Sequence, residues 1–327
     1  MDDREQILGE FGLIAEARKV ARSGFQQRHF RRTFDTSVFD PDHGLQEAQE
    51  PLVLDALRSQ RLRLIFDLDG FLEPLLAFGA ITAADATPKA ARQLQRMLNW
   101  CDLRRVVRVP EWLLADAVLS YAGRAGRVEE FLNAGQLDEE IERELRDWDS
   151  VRSPRSPFWQ SIARDTQRDR ARYQNSTTQL LQELGPRDGF SQGATIPTFP
   201  EFWNEHRDRV TQTLVERVGE DVNRSDLWTV CTDLGIDGLL AIRCIRLAVG
   251  AMIALIYSHF YNAGQQIPKV RQSDAADIRH VIAASAAETF VSNDLRLCKR
   301  LSAIPMNDRF RVLHLDKFLS DLQTRGT

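Results

Sequence analysis

An α/β fold whose parallel sheet is assembled from both ends of the chain is what this sequence predicts, and three observations carry the prediction. Short runs of β-branched and aromatic residues cluster at the two ends, as TFDTSVF and RLRLIFDL early and ETFVSND and FRVLHL late. Between them, from about residue 82 to 264, the pattern is helical and rich in Ala, Leu, Arg and Glu. Several of the end runs stop at an acid or a turn, where an open α/β sheet presents side chains at the carboxyl ends of its strands. The expected organisation is one α/β domain made of residues 1–81 plus 265–327, with 82–264 as an all-helical insertion.

Each element has its own justification. Residues 1–30 carry Ile7, Phe11, Ile14 and Ala15 at helical spacing, beside basic residues at 18, 19, 22, 28, 31 and 32. TFDTSVF is closed by Asp40, Pro41, Asp42 and Gly44, the composition of a strand running into a loop. LVLDALRSQ reads as a helix, RLRLIFDL as a second strand, and FLEPLLAF as a helical turn beyond it. In the middle, RSPRSP breaks a helical pattern, and LGPRDGFSQGATIPTFPEFW has the Gly and Pro content of a long loop. SDAADIRHVIAASAA is a helix with Ser273 or Asp274 as N-cap; ETFVSND, LRLCKRLSA and FRVLHL follow as strand, helix and last strand before LDKFLSDL.

Composition narrows the function classes. The 327 residues are 43% hydrophobic, enough for a sizeable core, and the formal charge of −4 argues against a protein that coats nucleic acid while leaving room for local basic clusters. Cysteines at 101, 231, 244 and 298 form no CxxC pair, so neither a zinc ribbon nor a disulfide framework is expected. MDDREQILGEFG lacks the features of a signal peptide, and Leu247–Tyr261 falls short of the roughly 20 residues of a membrane span, so a cytoplasmic protein with no membrane contact is expected.

Four acids draw attention: Asp35 in FDTSVF, Glu73 after LIFDLDGF, and Asp277 and Asp294 in SDAADIRHVIAASAAETFVSND. Hard divalent cations prefer oxygen ligands, and Mg²⁺ takes one or two carboxylates, keeps waters and completes its shell with substrate phosphate oxygens. Clustered carboxylates repel one another, and a divalent ion relieves that repulsion. Asp274 competes with Asp277 for the third place, since either could open the same helix.

FDTSVF, LIFDLDGFLEPLL and DIRHVIAASAAETFVSNDLRL together resemble the PIN (PilT N-terminus) domain family of metal-dependent nucleases. The resemblance implies a Rossmann-like parallel sheet. It also implies catalytic acids at Asp35, Glu73, Asp277 and Asp294, with Mg²⁺ or Mn²⁺ held by Asp35, Asp277 and Asp294 and Glu73 positioning the water. By the same resemblance the expected activity is hydrolysis of RNA phosphodiester bonds, as an endoribonuclease acting in toxin systems, RNA turnover or defence. Single-stranded or structured RNA is then the substrate, and an inhibitory protein partner or a homodimer is in keeping with the family. The middle stretch far exceeds that of compact members.

Two other readings compete. LIFDLDGFL imitates the hhhhDxDGT motif of haloacid dehalogenase-like phosphohydrolases, with Asp67 as nucleophile and Asp69 as acid/base, but Phe71 stands where that family has Thr. A non-enzymatic helical interaction protein is the other, supported by Arg/Glu-rich helix faces. For an RNA substrate, Arg164, Arg168, Arg170 and Arg172 interleave with Phe158, Trp159 and Tyr173 as a stacking channel would require, and His280, one turn from Asp277, could face the same cleft.

Overall fold

The computed structural model describes residues 31–40, 42–67, 70, 93, 96–97, 100, 106–107, 110–124, 157–184, 197–222, 225–262, 270–306 and 308–325. Five strands form one all-parallel sheet: β1 (Arg31–Phe34), β2 (Arg63–Asp67), β3 (Val106–Val107), β4 (Thr289–Ser292) and β5 (Arg311–His314), in the order β3-β2-β1-β4-β5. The expected α/β class and the assembly from both chain ends are therefore observed. One revision concerns the stretch expected to be all-helical: β3 lies within it and pairs with β2. Two residues are too short a run to leave a period-two pattern in the sequence.

Both faces of the sheet are covered, as parallel sheets require. Along β1, β2 and β4 the even face carries Phe34, Leu64, Phe66 and, on β4, Val291, which pack under α1 (Glu50–Arg58) and the closing helix Leu315–Arg325. Phe34, Phe39, Phe66, Trp100 and Phe318 form an aromatic cluster there, with Phe34 meeting Phe318 edge-on at 5.2 Å between ring centroids. The opposite face, with Ile65, Val107 and Phe290, merges into one hydrophobic core with the helices of the middle stretch.

Those helices are α2 (Pro110–Tyr121), α3 (Pro157–Leu184), α4 (Phe199–Val222), α5 (Ser225–Ala241), α6 (Arg243–Asn262) and α7 (Gln272–Ala283), followed by α8 (Leu295–Ser302) and α9 (Leu315–Arg325). Proline opens α2 and α3 at a position where its missing N–H costs no helical bond. Within α5 the backbone leaves helical geometry at Gly235, at φ 62° and ψ 177°, a conformation glycine adopts without a Cβ clash. After α1, Gln60 takes φ 57°, the left-handed turn that ends the helix, and Leu62 donates back to the Ala56 carbonyl at 3.0 Å. The span Arg243–Phe260 of α6 is long and apolar enough to cross a membrane, but 67% of it is buried inside the fold, as in a core helix.

Helix α7 is held by charge as well as by apolar packing. Arg279 is 2% exposed and pairs with the buried Glu111 of α2, while Arg217 of α4 lies 3.8 Å from the same carboxylate oxygen. The Arg217 guanidinium sits 3.0 Å above the ring centroid of Tyr173, itself fully buried on α3. Burial pushes the Glu111 carboxyl above its ordinary range, and the two guanidinium groups pull it back. Tyr173 and the largely buried Arg170 thus belong to the core, not to an exposed stacking channel.

Candidate active site

The strand register sets the carboxyl edge. Thr33 pairs with Ile65 and Phe34 with Val291, so Asp35, one residue past β1, stands between Asp67 at the end of β2 and Ser292 at the end of β4. Neighbouring strands lie about 4.8 Å apart, and residues level with one another share a face. Asp35, Asp67 and Ser292 accordingly all point to the side covered by α7 and α8, and the two acids are 5% and 3% exposed.

Asp35 is anchored by hydroxyls. Its Oδ2 accepts from Ser37 Oγ at 2.6 Å and from Ser292 Oγ at 2.7 Å, and its own N–H donates to the Val291 carbonyl at 2.9 Å. Ser37 also receives the Asn293 N–H at 3.0 Å, and Ser292 Oγ the Asp294 N–H at 2.9 Å. Asp294 caps α8, with Oδ1 accepting from the N–H groups of Arg296 at 2.7 Å and Leu297 at 3.1 Å. The turn is braced by Asn293, whose side-chain amide donates to the His43 carbonyl at 2.6 Å and whose carbonyl lies 3.2 Å from His314 Nε2. Ser292 therefore links the Asp35 carboxylate to the backbone N–H of Asp294, while the Asp294 carboxylate itself is turned to the start of α8. Cys298, a turn into α8, registers both: its thiol is pushed up to about 11 by burial and then by the negative charge of Asp35 and Asp294.

The other expected acids are placed differently. Asp277 lies in the middle of α7 and lines a shallow cleft with Asp274, Leu255 of α6 and Leu297, Arg300 and Leu301 of α8. Asp274 has the capping role: Arg271, rather than Ser273, is the N-cap, and its N–H donates to Asp274 Oδ2 at 2.8 Å. Arg300 and His259 flank the same carboxylate at 3.8 and 3.9 Å. Glu73 and Asp69 lie outside the described residues. Among the described residues no group of three or more His, Cys, Asp or Glu is arranged to hold a metal ion.

His280 does not face a cleft. It is 2% exposed, and its Nδ1 lies 2.8 Å and 3.0 Å from the two carboxylate oxygens of Asp67, whose Oδ1 also accepts the Gly70 N–H at 2.7 Å. Asp67 as a neighbour of Asp35 was the residue that sequence reasoning about this site missed. A signal existed, since both early strands end on Phe-Asp, in TFD and IFD.

Asp35 and Asp294 carry the oxygen type that Mg²⁺ prefers, one or two carboxylates being its ordinary share, and one oxygen of each is engaged within the turn, Asp35 Oδ2 by Ser37 and Ser292 and Asp294 Oδ1 by the Arg296 and Leu297 N–H groups. The chain matches no family model, no curated protein and no solved structure.

Proposed function

We propose that the protein is a metal-dependent, PIN-like endoribonuclease that acts in the cytoplasm with Mg²⁺ or Mn²⁺. The observation that carries the reading is that Asp35 and Asp294 follow the adjacent strands β1 and β4 at the carboxyl edge, linked through Ser292, which binds the Asp35 carboxylate and the Asp294 N–H, at the position where open α/β sheets bind ligands. The order β3-β2-β1-β4-β5, with the strand before Asp35 at the centre, further supports it.

In this reading Asp35 and Asp294 would hold the cation and Glu73 would orient the water, while Asp277, which lines a cleft between α6, α7 and α8, would join them as a third ligand only by turning out of that cleft. When bound, the cation supplies charge neutralisation at the scissile phosphate and a water of lowered pKa. Ser37 and Ser292 fix the orientation of the Asp35 carboxylate by donating to its Oδ2. In the same reading the exposed Arg296, two residues past Asp294, would meet a backbone phosphate of an RNA strand.

The test is cleavage of labelled single-stranded RNA by the wild type, Asp35→Asn and Asp294→Asn, each with Mn²⁺, Mg²⁺ or EDTA. Cleavage that needs the metal and disappears in both variants supports the reading. Full activity in both variants, or in EDTA, refutes the assignment. Hydrolysis of a generic phosphate ester without RNA cleavage, lost in Asp67→Asn, would replace it with a phosphohydrolase.

A further inference from the structure

We infer that Asp67 and His280 form a positioning pair for this site, fastening the turn of α7 that follows Asp277 to the sheet edge beside Asp35; the inference rests on the reading of the site proposed above. Three observations converge. Asp67 stands level with Asp35 on the adjacent strand and on the same face. Its carboxylate is held by His280 Nδ1 through both oxygens, at 2.8 and 3.0 Å, and by the Gly70 N–H at 2.7 Å. His280 lies three residues after Asp277 on α7, so one helical turn links the imidazole to the acid.

The arrangement has a physical purpose that packing alone does not require. Two buried carboxylates on neighbouring strands repel if both are ionised and uncompensated. Here they are compensated by different means, Asp35 by serine hydroxyls and Asp67 by an imidazole. Each carboxylate is thereby engaged by its own partner inside the fold. The same imidazole fixes how far the Asp277 turn stands from the sheet. On the adjoining position of α7, Arg279 pairs with Glu111 of α2, so consecutive residues grip the sheet on one side and the helical layer on the other.

Mn²⁺ titration calorimetry on the full-length chain tests the pair, using the wild type, Asp67→Leu/His280→Leu, His280→Leu and His280→Asn, with circular dichroism to establish folding. The leucine pair replaces both partners of a buried hydrogen-bonded pair by apolar groups, a change that can be nearly neutral for the fold. It is expected to retain the wild-type spectrum and bind Mn²⁺ roughly 10–100-fold more weakly, the effect of losing groups that orient ligands. Asn offers an amide N–H near the position of Nδ1, so His280→Asn is expected to recover most of the affinity lost in His280→Leu. If the leucine pair does not fold, this comparison of single variants decides the matter. Wild-type Mn²⁺ affinity in a folded leucine pair, or equal losses in His280→Asn and His280→Leu, overturns the positioning role and leaves a core ion pair. Absence of Mn²⁺ binding in the wild type overturns the site reading itself.

Discussion

Gly250 in the middle of α6 backs directly onto Ile304, just past the end of α8. A methyl group on Gly250 would lie 2.4 Å from Ile304 Cγ2 and 2.9 Å from both Cγ1 and Cδ1. Carbon atoms in good contact are roughly 3.5–4.0 Å apart, so the side chain or the helix must yield by about 1 Å. Overpacking of this size costs about 1–3 kcal/mol, and alanine in place of glycine in a helix interior recovers about 1 kcal/mol. The β-branch of Ile304 limits its escape by rotation. Gly250→Ala is therefore expected to destabilise the protein by up to about 2 kcal/mol, even though helix propensity alone predicts a gain. Ile304→Ala on its own should cost about 2–5 kcal/mol, and less when combined with Gly250→Ala, because the new methyl enters the space vacated. Urea denaturation of the two single variants and the double, with m held constant, measures both numbers. A Gly250→Ala protein more stable than the wild type, or strict additivity in the double, would refute the close approach. The seam matters to the site because α8 carries Asp294 at its start, and Arg246 of α6 also ties down the segment through the Pro305 carbonyl at 2.7 Å.

Further expectations concern charge and the site. Asp294→Asn should leave the melting temperature within a few degrees of the wild type, because this exposed cap retains a side-chain oxygen for the Arg296 and Leu297 N–H groups, while RNA cleavage is lost. Glu111→Gln leaves the Arg279 guanidinium without a full counter-charge in the core and should lower stability by about 3–5 kcal/mol in chemical denaturation, whereas Glu111→Met/Arg279→Met should cost less. Burial holds His259 and His206 below the ordinary histidine value, so the unfolded chain binds more protons than the folded one. Their contribution is complete above about pH 6.5 and is lost as pH falls towards the lowered folded values, which melting curves between pH 7.5 and 5 would show; His259→Gln should flatten that slope. Cys298, with its thiol pushed up to about 11, should resist alkylation in the native protein at pH 8 and react once unfolded, as read by peptide mass spectrometry.

What could be read from the sequence depended on whether a feature was local. The strands before Asp35 and Asp294 were legible because each is a short β-branched or aromatic run stopped by an acid and a turn, and the ladder from Arg32 with Thr289 to Phe34 with Val291 brings those runs side by side. The acid at Asp294 announced a helix start, and it caps α8. Val106–Val107 could not be recognised, because a two-residue strand takes its identity from the neighbouring β2 rather than from its own pattern. Tyr173 and Arg170 looked like a surface channel since charged residues crowd α3; only tertiary packing shows that this turn of the helix faces α4 and α7. His280 was noticed for its spacing from Asp277, but its partner lies 213 residues away, a separation at which no local rule operates. Arg271 as N-cap was missed because the capping acid sits at the third position and reaches back to the backbone.

The central strand finds one neighbour soon and the other very late. β1 pairs with β2 after one helix, whereas Asp35 and Ser292 are joined across 257 residues. During synthesis at about 5–20 residues per second, β1 would emerge many seconds before β4. Over that interval Asp35 has neither Ser292 nor Asp294 beside it, so the acids exist without the site. A carboxyl edge assembled in this way is completed only when the sheet's last strands have been translated, so a chain cut short before β4 would lack it altogether.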